Sequence, residues 1–444
     1  MSIDNCDFTG HRYRVLVIAE AANPEWASVP LIGWKISKAL ARIVNVHLVT
    51  HIRNREAIVK HGLVEGTDFT AIDNERIASP LYRIAEKLRG GQGKGWTTST
   101  AFSSIAYYSF EREVWRAFRD RIHAREFDLV HRVTPLSPTS QSLIAKRLWR
   151  IGVPFVVGPL NGGVPWPKKF KDRQYREREW LSSVRYLYKL MPGYRSMRKF
   201  SSKIIVGSQF TRNDMPRWAR EKCVYIAENG VDAAQVGKPS QRVPSLPLQV
   251  AFVGRLVAYK GADMLLEAAK EFLAARKLDL HIIGDGPERR SLEAMVQEFG
   301  VGGSVHFHGW LAHADVQQRL RNCDVLVLPS IREFGGGVVV EAMALGVTPI
   351  VADYGGPAEL VKQETGIKVA FHDKNSLVQN MLEAIEFITS SPQVLAKLGN
   401  AARQDVIQNL TWEAKARQIA SVYEAAIGDR EYQIGHTNLQ RRPV

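Results

Sequence analysis

Short apolar runs punctuate the chain at regular intervals. In the first half these are RVLVIAE (14–20), VNVHLVTH (44–51), FDLVHRV (127–133), VPFVVGP (153–159) and KIIVGS (203–208). Near-continuous runs such as VPFVV suit strands buried on both faces. The 3.6-residue pattern between them, as in EREVWRAFRDRI (111–122), predicts βα units in a parallel sheet. The second half repeats the theme with LQVAFVGRL (248–256), LDLHIIGDG (278–286), SVHFHGW (304–310), CDVLVLPS (323–330), TPIVAD (348–353) and GIKVAF (366–371). Between the halves, ENGVDAAQVGKPSQRVPSLP (228–247) is rich in Gly, Pro and Ser and reads as an exposed linker. The expectation is an α/β protein with a Rossmann-like domain over 1–228, a linker over 229–247 and a second Rossmann-like domain over 248–410. A helix over 411–428 returns to the first domain, and a polar, flexible tail covers 429–444. Open α/β sheets bind ligands outside the carboxyl ends of their strands, so two of them facing each other across a cleft hold two reactants.

Composition agrees with this division. A chain of 444 residues exceeds one ordinary core of ~100–200 residues, and 45% hydrophobic with 24% charged residues is typical of a soluble globular protein. The three cysteines, Cys6, Cys223 and Cys323, lack paired or metal-like spacing, which points to a reducing compartment such as the cytoplasm. The start MSIDNCDFTGHRYR has no apolar core of a signal peptide. The most apolar window, Gly337–Ala352, contains Glu341 and is shorter than the ~20 residues that span a bilayer, so no membrane crossing is expected.

The densest chemistry lies in REFGGGVVVEAMALG, from Arg332 to Gly346. Three consecutive glycines make one continuous helix across it unfavourable. Glu333 is therefore expected on the loop leaving CDVLVLPS, and Glu341 in the first turns of the next helix. Gly336 and Gly337 let backbone N–H groups approach a ligand at a helix start that favours anions, so a phosphate fits between the two acids. Upstream, GRLVAYKG supplies Arg255 and Lys260 just after a strand, a fork and a point charge suited to a pyrophosphate, although a plain surface pair beside a helix start reads equally well.

Taken together, these motifs resemble the family 4 retaining glycosyltransferases of the GT-B fold, among the group 1 nucleotide-sugar enzymes. The resemblance is carried by Gly254-Arg255…Lys260-Gly261, Gly284-Asp285-Gly286-Pro287 and Glu333…Glu341 in family order, and by VLVLPS, EAMALGVTPIVA and GGPAELV (355–361). It covers about Val224 to Tyr423. It implies that Arg255 and Lys260 hold a donor diphosphate, with Gly284 and Gly286 in the donor-site turn. Glu341 would bond ribose hydroxyls, Gly336 and Gly337 would offer amides to phosphate, and Glu333 would face the sugar. An acceptor-only carboxylate suits a cis-diol that offers two donors. This chain departs from the usual E-x-F-G by having Glu333-Phe334-Gly335-Gly336, which moves the aromatic one place. With no Asp-x-Asp in the sequence, no metal and no cofactor are expected beyond the nucleoside-diphosphate sugar itself. Leaving-group charge would then fall to Arg255, Lys260 and helix dipoles. His306, His308 and His313 lack carboxylate or cysteine partners at metal-like spacing and read as ordinary sheet and loop residues.

In the first domain the resemblance offers His131, at the end of FDLVHRV, as a histidine near the reacting sugar; a buried strand histidine is the alternative. Asn161, in a Gly-rich turn, either lines the acceptor side or shapes the turn. RGGQGKGWTTST (89–100) fails the G-x4-G-K-[ST] phosphate-loop pattern on both sides of Lys94. Net charge is +15, from 60 basic and 45 acidic residues, and eleven basic against three acidic residues fall between Lys168 and Lys199. Trp180 recurs at helical spacing with Val184, Leu187 and Met191 beside Arg178, Arg185 and Lys189, a basic amphipathic segment suited to an anionic bilayer or, alternatively, to core packing with a solvated face. The reading is a retaining glycosyltransferase of bacterial polysaccharide or glycolipid synthesis, cytoplasmic and peripheral on the inner face of the cell membrane, with a carbohydrate or lipid-linked acceptor. A GT-B sugar-nucleotide epimerase is the enzymic alternative. A basic nucleic-acid-binding protein explains the charge but gives Glu333 and Glu341 no task, so nucleic acid is not an expected partner.

Overall fold

A computed structural model of the chain describes residues 12–77, 79–80, 96–176, 188–236, 239–240 and 242–439. The chain divides into two compact units. The first comprises 1–162, 183–228 and 415–444, and the second comprises 163–182 and 229–414.

Among the described residues the first unit is built on seven strands: β1 (Arg14–Ala19), β2 (Asn45–His51), β3 (Phe69–Ile72), β4 (Leu129–Thr134), β5 (Phe155–Leu160), β6 (Lys203–Val206) and β7 (Cys223–Tyr225). They pair in parallel in the order β3-β2-β1-β4-β5-β6-β7, so the direction of winding reverses between β1 and β4. One face carries Leu16, Ile18, Val49, Val130 and Val157 against Tyr107, Phe110, Val114 and Phe118 of the helix Trp96–His123. That i, i+3, i+4 spacing sets the four aromatic and aliphatic side chains on one stripe, and burying each contributes about 1.5–3 kcal/mol. β3 and β7 are short strands at the two ends of the sheet. β3 lies in the short run FTAI, whereas β7 opens the apolar run CVYIA (223–227), which the sequence reading passed over.

His131 sits in the middle of β4, opposite Val17 of β1, and is fully buried. Its Nε2 donates to the Gly158 carbonyl at 2.7 Å and its Nδ1 accepts from the Tyr423 hydroxyl at 2.7 Å. Burial pushes its pKa down to about 4, only partly offset by the Gly158 carbonyl, and Arg132 lowers it further. The expectation of a catalytic imidazole is corrected accordingly: both ring nitrogens are committed and the ring is neutral, joining the sheet to the helix Trp412–Leu439. That helix also continues past Gly428, where a flexible tail was expected, and remains helical to Leu439. At its start Lys415 is buried and donates to the Ala227 carbonyl.

Among the described residues the second unit has six parallel strands: β8 (Leu248–Val253), β9 (Leu278–Ile283), β10 (Val305–Gly309), β11 (Val325–Leu328), β12 (Thr348–Ala352) and β13 (Ile367–Val369). Their order, β10-β9-β8-β11-β12-β13, reverses between β8 and β11. The helices Ala262–Ala274 and Lys374–Ser390 close the core through Leu265, Leu266, Leu273, Leu377, Met381 and Ile388.

Two assignments change here. The segment 163–182, read as part of the first domain, belongs to the second unit, where Phe170 enters the core. The linker is also less free than its composition implies. Arg242 Nε donates to Asp324 Oδ1 at 2.8 Å, Ser240 N–H to the Leu345 carbonyl at 2.8 Å, and Val231 pairs with Thr411. Among the described residues no helix is long and apolar enough to cross a membrane.

The His131 environment generates a stability prediction. An unfolded histidine titrates near 6.5, whereas the folded one holds its proton only below about 4. The unfolded state therefore binds more protons between these values, and stability falls as pH drops through that window and levels off below it. His131→Phe should lower Tm at pH ~8, since leaving the Tyr423 hydroxyl and Gly158 carbonyl without their buried partner costs about 1–3 kcal/mol each. It should also flatten part of the acid-side decline. Thermal unfolding of both proteins against pH checks it.

Candidate functional site

In an open α/β sheet the loops on either side of the strand-order reversal diverge and leave a crevice at the carboxyl edge. In the second unit those loops follow β8 and β11. The first carries Gly254, Arg255 and the turn Ala258–Lys260. The second carries Glu333 and ends at Gly336, the residue that caps the helix Gly337–Ala344. Across the crevice Lys260 Nζ pairs with the Glu333 carboxylate, both side chains being largely buried. Burial pulls the Lys260 pKa down, but the charge and hydrogen bond of Glu333 outweigh it, so the net shift is upward and the ammonium stays charged. Arg255, on the same loop, is exposed and has no side-chain partner among the described residues. Glu341 lies one turn into the helix. Burial raises its pKa, with His313 pulling the other way from 3.9 Å.

These loops are fixed by backbone packing that only glycine permits. A Cβ on Gly284 would lie 2.0 Å from the Gly254 carbonyl oxygen, and one on Gly286 2.3 Å from that of Leu256. The G-x-G-P turn is thus the wall against which the Arg255 loop rests, tied by Leu256 N–H to the Asp285 carbonyl at 2.9 Å. The Glu333 loop is seated in the same manner. Cβ atoms on Gly355 and Gly356 would each fall 2.2 Å from a carbonyl oxygen, of Glu333 and Phe334 respectively, and Gly356 N–H donates to the Glu333 carbonyl at 3.1 Å. Gly336 adopts φ 69°, the left-handed conformation that aims the first amides of the helix out of the loop. Those amides have no carbonyl one turn back and carry the positive end of the helix dipole.

The site also holds residues that sequence reading missed. The segment 163–176 lies against both loops. Arg173 binds Asp263 through two hydrogen bonds, at 2.6 and 3.0 Å, and donates to the Ala258 carbonyl. Trp166 packs edge-on to Tyr259 at 6.1 Å, the Arg332 guanidinium lies 5.1 Å from the Trp166 ring, and Tyr354 Oη donates to the Pro165 carbonyl at 3.0 Å. Lys168, Lys169 and Lys171 stand exposed on this strap, so part of the basic cluster belongs beside the Lys260 and Glu333 loops. The only sequence signal was PWPKKF, an apolar pair within a basic run.

Other sequence candidates fall elsewhere. Asn161 is 6% exposed, with its N–H bonded to the Leu136 carbonyl at 2.8 Å, so it is a buried part of the first unit's turn and does not line an open surface. Lys189 is paired with Asp214 at 2.7 Å, so its own charge is already matched. Arg178, Trp180 and Arg185 lie outside the described residues, as do Cys6 and most of the Gly-rich loop up to Gly95. His281, unremarked in sequence, stacks with His306 and His308 at ring distances of 5.1 and 5.3 Å. Its Nδ1 hydrogen-bonds His308 Nε2 at 3.0 Å and its Nε2 bonds Gln249 at 2.8 Å. Both nitrogens of His281 are thereby committed within the sheet.

Residues 238–405 match the family model described as glycosyl transferases group 1. The uncharacterized glycosyltransferase MJ1607 of Methanocaldococcus jannaschii is 31% identical over 179 residues, 40% of this chain and 45% of that protein. The glycogen synthase of Mycobacterium tuberculosis is 29% identical over 213 residues, 47% of this chain and 50% of that protein. The chain thus spans about half the length of these relatives. Among solved structures, Anabaena Alr3699/HepE in complex with UDP superposes with a TM-score of 0.55 at 16% identity, covering 93% of this chain and all of the other. The chain has the two-domain GT-B fold, and its second unit carries the group 1 glycosyltransferase pattern.

Proposed function

We propose that the protein is a retaining, metal-independent glycosyltransferase that moves a sugar from a nucleoside diphosphate to a carbohydrate or lipid-linked acceptor. The observation that carries this reading is the Lys260–Glu333 pair at the strand-order reversal, beside a glycine-capped helix start and an unpartnered Arg255. A diphosphate entering the crevice meets Lys260, Arg255 and the helix amides. Glu333, held by its backbone on Gly356, turns its carboxylate from Lys260 toward the sugar hydroxyls. Glu341 takes the ribose diol: its pKa is raised by burial, and desolvation leaves the carboxylate eager for two hydroxyl donors. Charge on the departing phosphate is stabilised by groups already in place, which needs no reorganisation at the moment of bond breaking. Group 1 relatives and the UDP-bound structural neighbour support a nucleotide-sugar donor.

The same reading places the enzyme on an anionic membrane surface, through a face of the first unit. The helices Ile144–Arg150 and Tyr194–Phe200 pack together and expose Lys146, Arg147, Arg150, Arg195 and Lys199 around Trp149, which is 56% exposed and packs against Phe200 at 4.8 Å. Basic side chains flanking a half-exposed indole match the charge and polarity of a lipid headgroup layer.

Thermal shift with UDP- and GDP-sugars should identify a stabilising donor, by about 2.7 kcal/mol at a hundredfold excess over Kd; stabilisation by none of them overturns the reading. Incubation of that donor without acceptor should leave its sugar configuration unchanged, whereas epimerised donor would favour the epimerase. Glu341→Ala should weaken donor binding about 10- to 100-fold by calorimetry, the loss of charged hydrogen bonds worth about 1.5–3 kcal/mol, without loss of fold. Glu333→Gln should depress kcat with the donor, because the carboxylate faces the sugar, and should not weaken UDP or GDP binding, because it frees Lys260 from its internal partner.

A further inference from the structure

The strap 163–176 is fastened to the second unit on both sides of Trp166. Before it, the Pro165 carbonyl accepts from the Tyr354 hydroxyl at 3.0 Å. After it, Phe170 is 1% exposed in the unit's core and meets Phe371 edge-on at 5.7 Å, and Phe371 in turn meets the Tyr354 ring at 6.0 Å. Further on, Arg173 grips Asp263 with two hydrogen bonds and donates to the Ala258 carbonyl. A side chain held between such anchors has little freedom to wander.

Trp166 reaches both loops of the crevice. On the β8 side it packs edge-on to Tyr259 at 6.1 Å, with the ring planes at 90°. Tyr259 immediately precedes Lys260 in the turn Ala258–Lys260, and the Lys260 ammonium lies 5.8 Å from the Tyr259 ring. On the β11 side the Arg332 guanidinium lies 5.1 Å from the Trp166 ring and 5.1 Å from that of Phe334, while its Nε donates to the Val164 carbonyl at 3.3 Å. Arg332 and Phe334 are the chain neighbours of Glu333. The loops also touch directly, Ile331 N–H donating to the Tyr259 carbonyl at 3.0 Å. Edge-to-face ring pairs and cation–ring contacts depend on direction as well as distance, so one indole fixes the placement of both loops. Phe334 is the residue by which this chain departs from E-x-F-G, and the displaced ring is the one that stacks with Arg332. A tryptophan serving the core alone would be enclosed by it, whereas Trp166 stands half-buried at its rim, against residues adjoining the two charged groups.

We propose that Trp166 is a positioning residue for the diphosphate grip, holding the turn of Lys260 through Tyr259 and tying it to the Glu333 loop through Arg332. The inference rests on the transferase reading above and adds a residue from outside the stretch 238–405 that matches the family pattern. Trp166 needs no contact with substrate. It keeps the ammonium where a diphosphate will meet it, so that binding requires no rearrangement of the loop.

Calorimetric affinity of the full chain for UDP and GDP tests this in the wild type, Trp166→Leu, Trp166→Phe, Lys260→Met and the double variant Trp166→Leu/Lys260→Met, with Tm measured for each. Trp166→Leu should weaken binding of whichever nucleotide the wild type takes about tenfold, a part of the ~100-fold that a full ångström of misplacement can cost. Trp166→Phe, which keeps a ring against Tyr259 and Arg332, should recover most of that loss. In the Lys260→Met background Trp166→Leu should cost less than about twofold, because changes that act through one contact do not add. Unchanged affinity in Trp166→Leu, no recovery in Trp166→Phe, or the same loss with and without Lys260 overturns the positioning role, and a lowered Tm with unchanged affinity identifies packing alone. If Trp166→Leu does not fold, Tyr259→Leu breaks the same link from its other side and is read by the same criteria. Failure of the wild type to bind either nucleotide overturns the donor-site reading and the positioning role with it, and is told apart because no variant is needed to see it.

Discussion

The Lys260–Glu333 pair is the contact on which the second unit's chemistry depends. It spans the one place in the sheet where neighbouring loops part, and it joins a cation that needs an anion to an acid that, left alone there, would repel one. Without a ligand each neutralises the other's burial. Under the proposed function, a diphosphate gives Lys260 a stronger partner and frees Glu333 for the sugar. Largely buried side chains make that exchange energetically significant, since a charge pair screened by bulk water contributes little.

Backbone geometry makes the pair possible. Gly284 and Gly286 let the Arg255 loop lie against its neighbour, and Gly355 with Gly356 do the same for the Glu333 loop. In each case the opposing atom is a main-chain carbonyl oxygen that cannot move aside, so the glycines act by admitting backbone and not by adding flexibility. A rigid frame of this kind holds charged groups ready without reorganisation, which is where preorganised electrostatic stabilisation comes from.

Both units present polar groups at a reversal of strand order, and they do so in opposite electrostatic styles. The second pairs strong charges around glycine-capped amides, suited to an anion. The first buries His51 and Asn74 beside each other at the end of its sheet. His131 is buried as well, with both nitrogens satisfied, and no strand motif reveals which partners a buried histidine takes.

The apolar runs determined eleven of the thirteen strands among the described residues, because a strand buried on both faces must be apolar throughout, and they placed the second unit's site motifs at strand ends, since glycines and charges there interrupt the runs. β3 escaped because its run FTAI is enclosed by acids in DFTAID, and β7, in CVYIA, was passed over, although β13 is as short and also ends a sheet. Glu333 and Lys260 were legible as members of one site, but their mutual pairing was not, being a contact between loops 73 residues apart. Only the tertiary structure assigned 163–176 to the second unit, buried His131 against Tyr423 and set Trp166 against Tyr259 and Arg332. Each depends on which distant segment supplies the neighbouring surface, and burial and partner choice are properties of that surface, whereas periodicity is a property of the local chain alone.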